Sequence, residues 1–140
     1  MTILQPPGWP RPKGYACGIS AEGTSVFVSG QIGWDEHGRF PAQDIAGQVR
    51  QALRNVVTIL AEAGAGPEHV VRLTWYVTDK REYLAAQHQI GEAYREVMGR
   101  HFPAMSVVAV AALLEDEAKV EIEATAVLAS RSAGTGKPDA

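Results

Sequence analysis

The sequence predicts an α+β fold: a single domain in the order β-β-α-β-α-β-β, with one sheet covered on one face by two helices. Three observations lead there. Apolar periodicity switches cleanly along the chain between a two-residue and a three-to-four-residue spacing, with no internal repeat. Only two stretches carry the helical period, and two helices cover only one side of such a sheet. The length, 140 residues, is one domain's worth and enough to bury a core without staples.

The elements follow in order. Residues 1–13, MTILQPPGWPRPK, contain four prolines and read as an extended lead-in. GYACGIS and TSVFVSGQIG read as two strands around a Glu22-Gly23 turn. WDEHGRFPA is a loop broken by Gly38 and Pro41. From Gln43 to Ala65, the residues Ile45, Val49, Leu53, Val56 and Leu60 fall at spacings of four, four, three and four, which is one helical stripe. Gly64 and Gly66 stop it. HVVRLTWYVTD reads as a strand with Val71, Leu73, Trp75 and Val77 on one face. KREYLAAQHQIGEAYREVMGR is a second helix, with Tyr83, Ile90, Tyr94 and Val97 on one side. MSVVAVAAL and KVEIEATAVL are the last two strands, joined by the acidic turn LEDEA. The domain proper spans 14–129, and the small polar residues of 130–140 predict a flexible tail.

The sheet's second face sets the assembly. In the last strand Val120, Ile122, Ala124, Ala126 and Leu128 suit packing under helices, whereas Glu121, Glu123, Thr125 and Val127 face away. Neighbouring strands add Val70, Arg72, Thr74 and Tyr76, and Ser106, Val108 and Val110. That face is too apolar to stay wet and too charged for a dry core. A self-association surface with polar pockets satisfies both, so a homo-oligomer with sites near subunit boundaries is expected.

Composition narrows the chemistry. A net charge of −3 and a pI near 5.8 argue against nucleic acid or an anionic membrane as partner. No run of about 18 apolar residues supports a membrane span, and the start does not read as a secretory signal. The single Cys17 rules out an internal disulfide and fits a reducing cytoplasm; in a strand it reads as a small buried thiol. His37, His69, His88 and His101 have no metal-ligand spacing, and no nucleophile elbow, Walker loop or dinucleotide fingerprint is present.

Four features remain. Ser29-Gly30-Gln31 ends an apolar strand with a residue that allows close backbone approach, or marks a bulge. Gln87 falls on the apolar side of the second helix, where an amide needs partners. Glu121 and Glu123 share a strand face; such a pair can raise one pKa toward the proton-transfer range, or one can simply pair with Arg72. Met105 sits at the mouth of a strand after Phe102-Pro103-Ala104, with Pro103 suited to a strand's first position.

The segments KGYACGIS, VFVSGQIG, GQVRQALRNVVTILAEAGA, VVRLTWYVTD, FPAMS and VEIEATAVL occur in the order seen in the RidA (YjgF) family, also described as endoribonuclease L-PSP-like. The chain resembles that family from about Gly14 to Leu128. The resemblance implies a chorismate-mutase-like domain forming homotrimers through the uncovered sheet face, with small-molecule clefts between subunits. It implies hydrolysis of reactive enamines and imines to carbonyl compounds and ammonia, without metal or organic cofactor. By the same resemblance Tyr15 and Glu121 are catalytic, with Glu123 the alternative carboxylate. Gly30 and Gln87 bind substrate, the latter standing where the family has asparagine, and Ser29 beside Gly30 is a further substrate-binding candidate.

The departure lies in Pro103-Ala104-Met105-Ser106, where RidA-type deaminases usually carry arginine at the position of Met105 and grip the substrate carboxylate with it. A thioether neither donates a hydrogen bond nor carries charge. Ala16 and Val107 stand where the family often has serine and cysteine. Three readings follow: a deaminase for a less acidic or more apolar substrate, with Met105 lining the pocket; a deaminase in which Arg72, Arg95 or Arg100 supplies the charge; or a non-catalytic binding trimer. Tyr15, Gly30 and Glu121 favour the enzyme, and the acidic balance ranks an RNA-directed role last.

Overall fold

The computed structural model describes residues 1–130, so the tail beyond Ser130 lies outside the described residues. The architecture is α+β, as the periodicity predicts, but it holds two sheets. Strands β1 (Thr2–Leu4) and β2 (Gly18–Ser20) pair with each other as a ribbon. The main sheet has the order β3-β6-β4-β5, formed by β3 (Thr24–Ile32), β4 (Val70–Val77), β5 (Ala104–Ala109) and β6 (Val120–Leu128). The sequence places β2 and β3 around one turn. In the structure β2 turns back to β1 inside the proline-rich lead-in, and β3 pairs with β6. Tight spacing in sequence made a hairpin attractive, but the edge of β3 is satisfied by the long antiparallel ladder with β6.

Helix α1 (Ile45–Glu62) starts at Asp44, whose carboxylate accepts from the Gly47 N–H at 3.0 Å. All five stripe residues, Ile45, Val49, Leu53, Val56 and Leu60, are buried against β3 and β6. The second predicted helix is divided into α2 (Lys80–Ala85) and α3 (Gln87–Met98). Ala86 leaves helical geometry at φ −106°, ψ 12°, and its N–H reaches the carbonyls of both Glu82 and Tyr83 at 3.2 Å. No glycine or proline marks that break. It rotates the face of α3, so Ala93 and Met98 join Ile90 and Tyr94 in the core while Tyr83 and Val97 are half-buried.

Together α2 and α3 cross from β4 to its parallel neighbour β5, while β6 runs antiparallel to both β3 and β4. Strand β6 alternates as predicted: Val120, Ile122, Ala124 and Ala126 are buried, and the residues between them are half-buried. Strand β4 departs at its start. A bulge at Val71 puts Val70 on the core side, so Val70 is fully buried where the alternation predicts Val71.

One core residue has no apolar signal. Gln48 is fully buried on α1, its Nε2 donating to the carbonyls of Glu117 (3.0 Å) and Ala42 (3.3 Å) while its Oε1 accepts from the Lys119 N–H at 2.8 Å. It pins the entry of β6 to the helix, and β6 carries both candidate carboxylates. Gln48→Leu keeps the volume but strands three backbone groups. We expect a loss of about 1–3 kcal/mol in urea denaturation with the m-value unchanged; an unmoved midpoint would show that water re-pairs those groups.

Candidate functional site

The ladder between β3 and β6 runs through Val28↔Ala124 and resumes at Gln31↔Ile122, so one extra residue sits at Ser29-Gly30. This bulge lays the Gly30 backbone on Glu121, and a Cβ there would overlap the carboxylate. The alternatives for these residues, bulge or ligand contact, therefore coincide in one place. Glu121 is half-buried and makes no side-chain hydrogen bond or ion pair among the described residues. Glu123 is committed: its Oε1 accepts from the Tyr76 hydroxyl at 2.7 Å. That hydrogen bond, with desolvation adding to it, pushes the Tyr76 phenol above its ordinary pKa. Pairing of either carboxylate with Arg72 is not found among the described residues. Arg72 lies in register with Thr125 and is exposed, sharing a shallow depression of about 570 Å³ with Ser29, Tyr76 and Glu123.

Tyr15 reaches the other edge of the sheet. The Ala16 N–H donates to the Pro103 carbonyl at 3.0 Å, and Ala16 bridges Ala104 in parallel, so the strand leading into β2 docks on the start of β5. Pro103 is buried just before β5, and the loop before it is held by the Tyr94 hydroxyl on the His101 carbonyl (2.5 Å). The His101 ring also contacts the Val70 carbonyl at 2.6 Å. Tyr15 is 43% exposed and borders a cavity of about 470 Å³ with Cys17, Arg72, Met105 and Ser106. Cys17 is exposed, not the buried strand thiol the sequence predicts. Strand β2 begins one residue later and belongs to the outer ribbon, so nothing covers the thiol.

Met105 lies beside Leu73 on the helix side of edge strand β5 and packs against the core. It also lines a cavity of about 160 Å³ with Trp75, Gln87, Arg95 and Lys13. Gln87 is exposed, contrary to the expected apolar placement, because the break at Ala86 turns the first residue of α3 to the cavity rim. The Arg95 guanidinium folds back over Gly91, where a Cβ would stand 3.3 Å from it. Of the other cations considered, Arg100 borders a separate cavity with Arg11 and His101. Sequence reasoning assigned Trp75 to the core and passed over Lys13. An indole among aliphatic strand residues was a usable signal, since its N–H needs an acceptor.

Among the described residues no group of His, Cys, Asp or Glu is arranged to hold a metal ion, and no helix is long and apolar enough to cross a membrane.

The candidate residues form two separate groups. Glu121 and Gly30 lie on the open side of the sheet, Met105 and Gln87 on the helix side of its far edge. Tyr76 is in register with both Glu121 and Val108, so Glu121 is two strands across and three residues along from Met105. At strand spacings near 4.8 Å and rises near 3.3 Å, that is about 14 Å within the sheet, on opposite faces.

A profile of the endoribonuclease L-PSP family matches residues 11–128. The 2-iminobutanoate/2-iminopropanoate deaminase of Salmonella typhimurium is 39% identical over 105 residues, covering 75% of this chain and 80% of that protein. Among solved structures, the Rid-family protein YyfB of Yersinia pestis superposes with TM-score 0.76 at 33% identity, over 91% of this chain and 98% of that one. Escherichia coli TdcF, solved with bound serine, gives 0.66 at 32% identity, over 92% and 100%. The six segments that suggested the family thus sit in a fold its solved members share, and the chain belongs to the endoribonuclease L-PSP, or RidA (YjgF), family.

Proposed function

We propose that this protein hydrolyses small enamines and imines of amino-acid origin to carbonyl compounds and ammonia, acting in the cytoplasm as a homotrimer without a cofactor. The observation that carries the reading is the Glu121 carboxylate, held against the Gly30 bulge and engaged by nothing else among the described residues. The relatives' names support it: one is a deaminase of three- and four-carbon imino acids, and another was solved with serine bound.

The chemistry needs one base that later acts as an acid. Glu121 takes a proton from water as the water oxygen attacks the imine carbon, and the C=N π pair moves onto nitrogen. Glu121 returns that proton to nitrogen, which completes the carbinolamine. It then takes the carbinolamine's hydroxyl proton and passes it to nitrogen as the C=O bond forms and the C–N bond breaks, and ammonia leaves. An enamine enters the same sequence after protonation at its β-carbon. Tyr15 and Gln87 supply hydroxyl and amide groups that orient the substrate, the Gly30 backbone allows its close approach, and Ser29 and Arg72 border the entrance.

Because the two groups of residues lie on opposite faces, a six-atom substrate bridges them only where the open face of one subunit meets the β5 edge of another. The open face supports such contact: Phe27 on edge strand β3 is 78% exposed there, and Val108 on the opposite edge strand β5 is half-exposed. Light scattering tests the assembly; the trimer has three times the 15.0 kDa chain mass, and a clean monomer overturns it.

The activity is tested by adding the protein to an amino-acid dehydratase that releases 2-aminoacrylate and following ammonia. Acceleration supports the reading; no acceleration with any imine, charged or neutral, sinks it. Met105 makes the carboxylate grip differ from that of an arginine-bearing relative. Charge-assisted hydrogen bonds contribute about 1.5–3 kcal/mol, so Met105→Arg is expected to raise kcat/KM for carboxylate imines by about 10–150-fold. A variant with no gain would place the grip elsewhere in the pocket.

A further inference from the structure

The 160 Å³ cavity beneath Met105 has a donor with nothing to donate to. Trp75 is 1% exposed, its indole forms part of the cavity wall, and its Nε1 has no hydrogen-bond partner among the described residues. Buried donors without acceptors are rare, and each calls for an explanation. The charged groups of the lining point the same way. Lys13 and Arg95 are obligate donors, the lining has no acidic side chain, and Tyr83, Gln87 and Tyr94 add neutral groups none of which accepts from the indole. Arg95 is also left without an ion pair among the described residues. The neighbouring carboxylates are occupied: Glu92 by His88 at 2.8 Å, and Glu96 by Arg50 and Arg54 at 2.9 Å. Gly91 is what lets the Arg95 guanidinium lie back over the helix, beside the cavity.

We infer that this cavity is an anion subsite, in which the Trp75 indole N–H takes a carboxylate while Arg95 and Lys13 supply positive charge at the mouth. The walls, Ile90, Phe102 and Met105 among them, are apolar, which strengthens a charge-assisted hydrogen bond within. The volume fits: a cavity of about 150 Å³ takes benzene, six heavy atoms, the same number as a three-carbon imino or keto acid. Met105, with three rotatable bonds, is the part of the wall able to yield. The subsite rests on the deaminase reading only for the identity of the acid, and it makes Trp75 and Arg95 binding residues for which arginine at 105 is not required.

Pyruvate, a keto-acid product of the proposed reaction, is the probe. The chain has three tryptophans, so a ¹H–¹⁵N spectrum carries three indole signals, that of Trp75 identified by its loss in Trp75→Phe. Titration with pyruvate is expected to shift the Trp75 indole signal downfield and saturably. Trp75→Phe should weaken pyruvate binding about tenfold or more, and Arg95→Gln about threefold to fivefold with a flatter salt dependence. Should Trp75→Phe fail to fold, the signals lost in Trp9→Phe and Trp34→Phe identify that of Trp75 by elimination, and the wild-type titration and Arg95→Gln still decide. An indole signal that stays put while pyruvate saturates the protein, or an absence of saturable binding, overturns the subsite. The two proposals fail separately. Imine hydrolysis with an unmoved indole signal removes the subsite and leaves the deaminase; a saturable shift without hydrolysis of any imine does the reverse.

Discussion

Glu121→Gln is expected to lower kcat for imine hydrolysis by about 10²–10⁴-fold, the usual contribution of a positioned general base, while pyruvate binding stays within about twofold. Glutamine keeps the volume against Gly30 and can still hold a water, but it cannot accept the proton. Glu123→Gln is the control. It keeps an acceptor oxygen for the Tyr76 hydroxyl, so its turnover should change by less than about tenfold. Ammonia release at saturating substrate separates the outcomes. Equal loss in both variants would mean that the carboxylates work as a unit; loss in Glu123→Gln alone would exchange their roles. Gly30→Ala gives a second view of the same contact, because its methyl must displace the Glu121 carboxylate. Its loss should approach that of Glu121→Gln with the charge still present.

What could be read from the sequence follows from which forces leave a local mark. The α1 stripe and the alternation of β6 are legible because burial on one face imposes a period on successive residues. The bulge at Ser29-Gly30 is half-legible, since glycine at a strand's end announces close approach without saying to what. Pairing partners are not legible. The choice of β2 between β1 and β3 depends on ladders formed by residues far apart in sequence, and local turn chemistry at Glu22-Gly23 favours the neighbour not taken. Ala86 breaks a helix with no breaker residue, and that one irregularity moves Gln87 from the predicted apolar face to the cavity rim. Gln48 and Trp75 escape for a related reason: periodicity counts a residue as inside or outside and says nothing of where its polar atoms go. One of them is fully satisfied and structural, the other is unsatisfied beside a cavity. Cys17 is exposed where its strand context predicts burial, because that strand belongs to an outer ribbon and not the core sheet.

The separation of Glu121 from Met105 leads to the second large effect, which no single-chain site can produce. Met105→Glu puts a carboxylate at the cavity mouth, where it attracts Arg95 and repels an anionic substrate, so it should be as inactive toward carboxylate imines as Glu121→Gln. Each variant leaves the other group of residues intact. If a working cleft takes Glu121 from one subunit and the Met105 cavity from the next, random co-assembly makes some clefts with both halves unaltered. Every trimer that holds both variants, in either ratio, has one cleft of its three with both halves unaltered, so purified hybrids should recover about a third of wild-type activity from two nearly inactive parents. Co-expression with different tags, followed by tandem purification and ammonia release, measures it. Mixing the separately purified proteins without subunit exchange supplies the baseline. Recovery requires clefts shared between chains. Hybrids that form but stay at the parental level would place hydrolysis within one chain, and the distance across the sheet would then exclude either Glu121 or the Met105 cavity from the reaction.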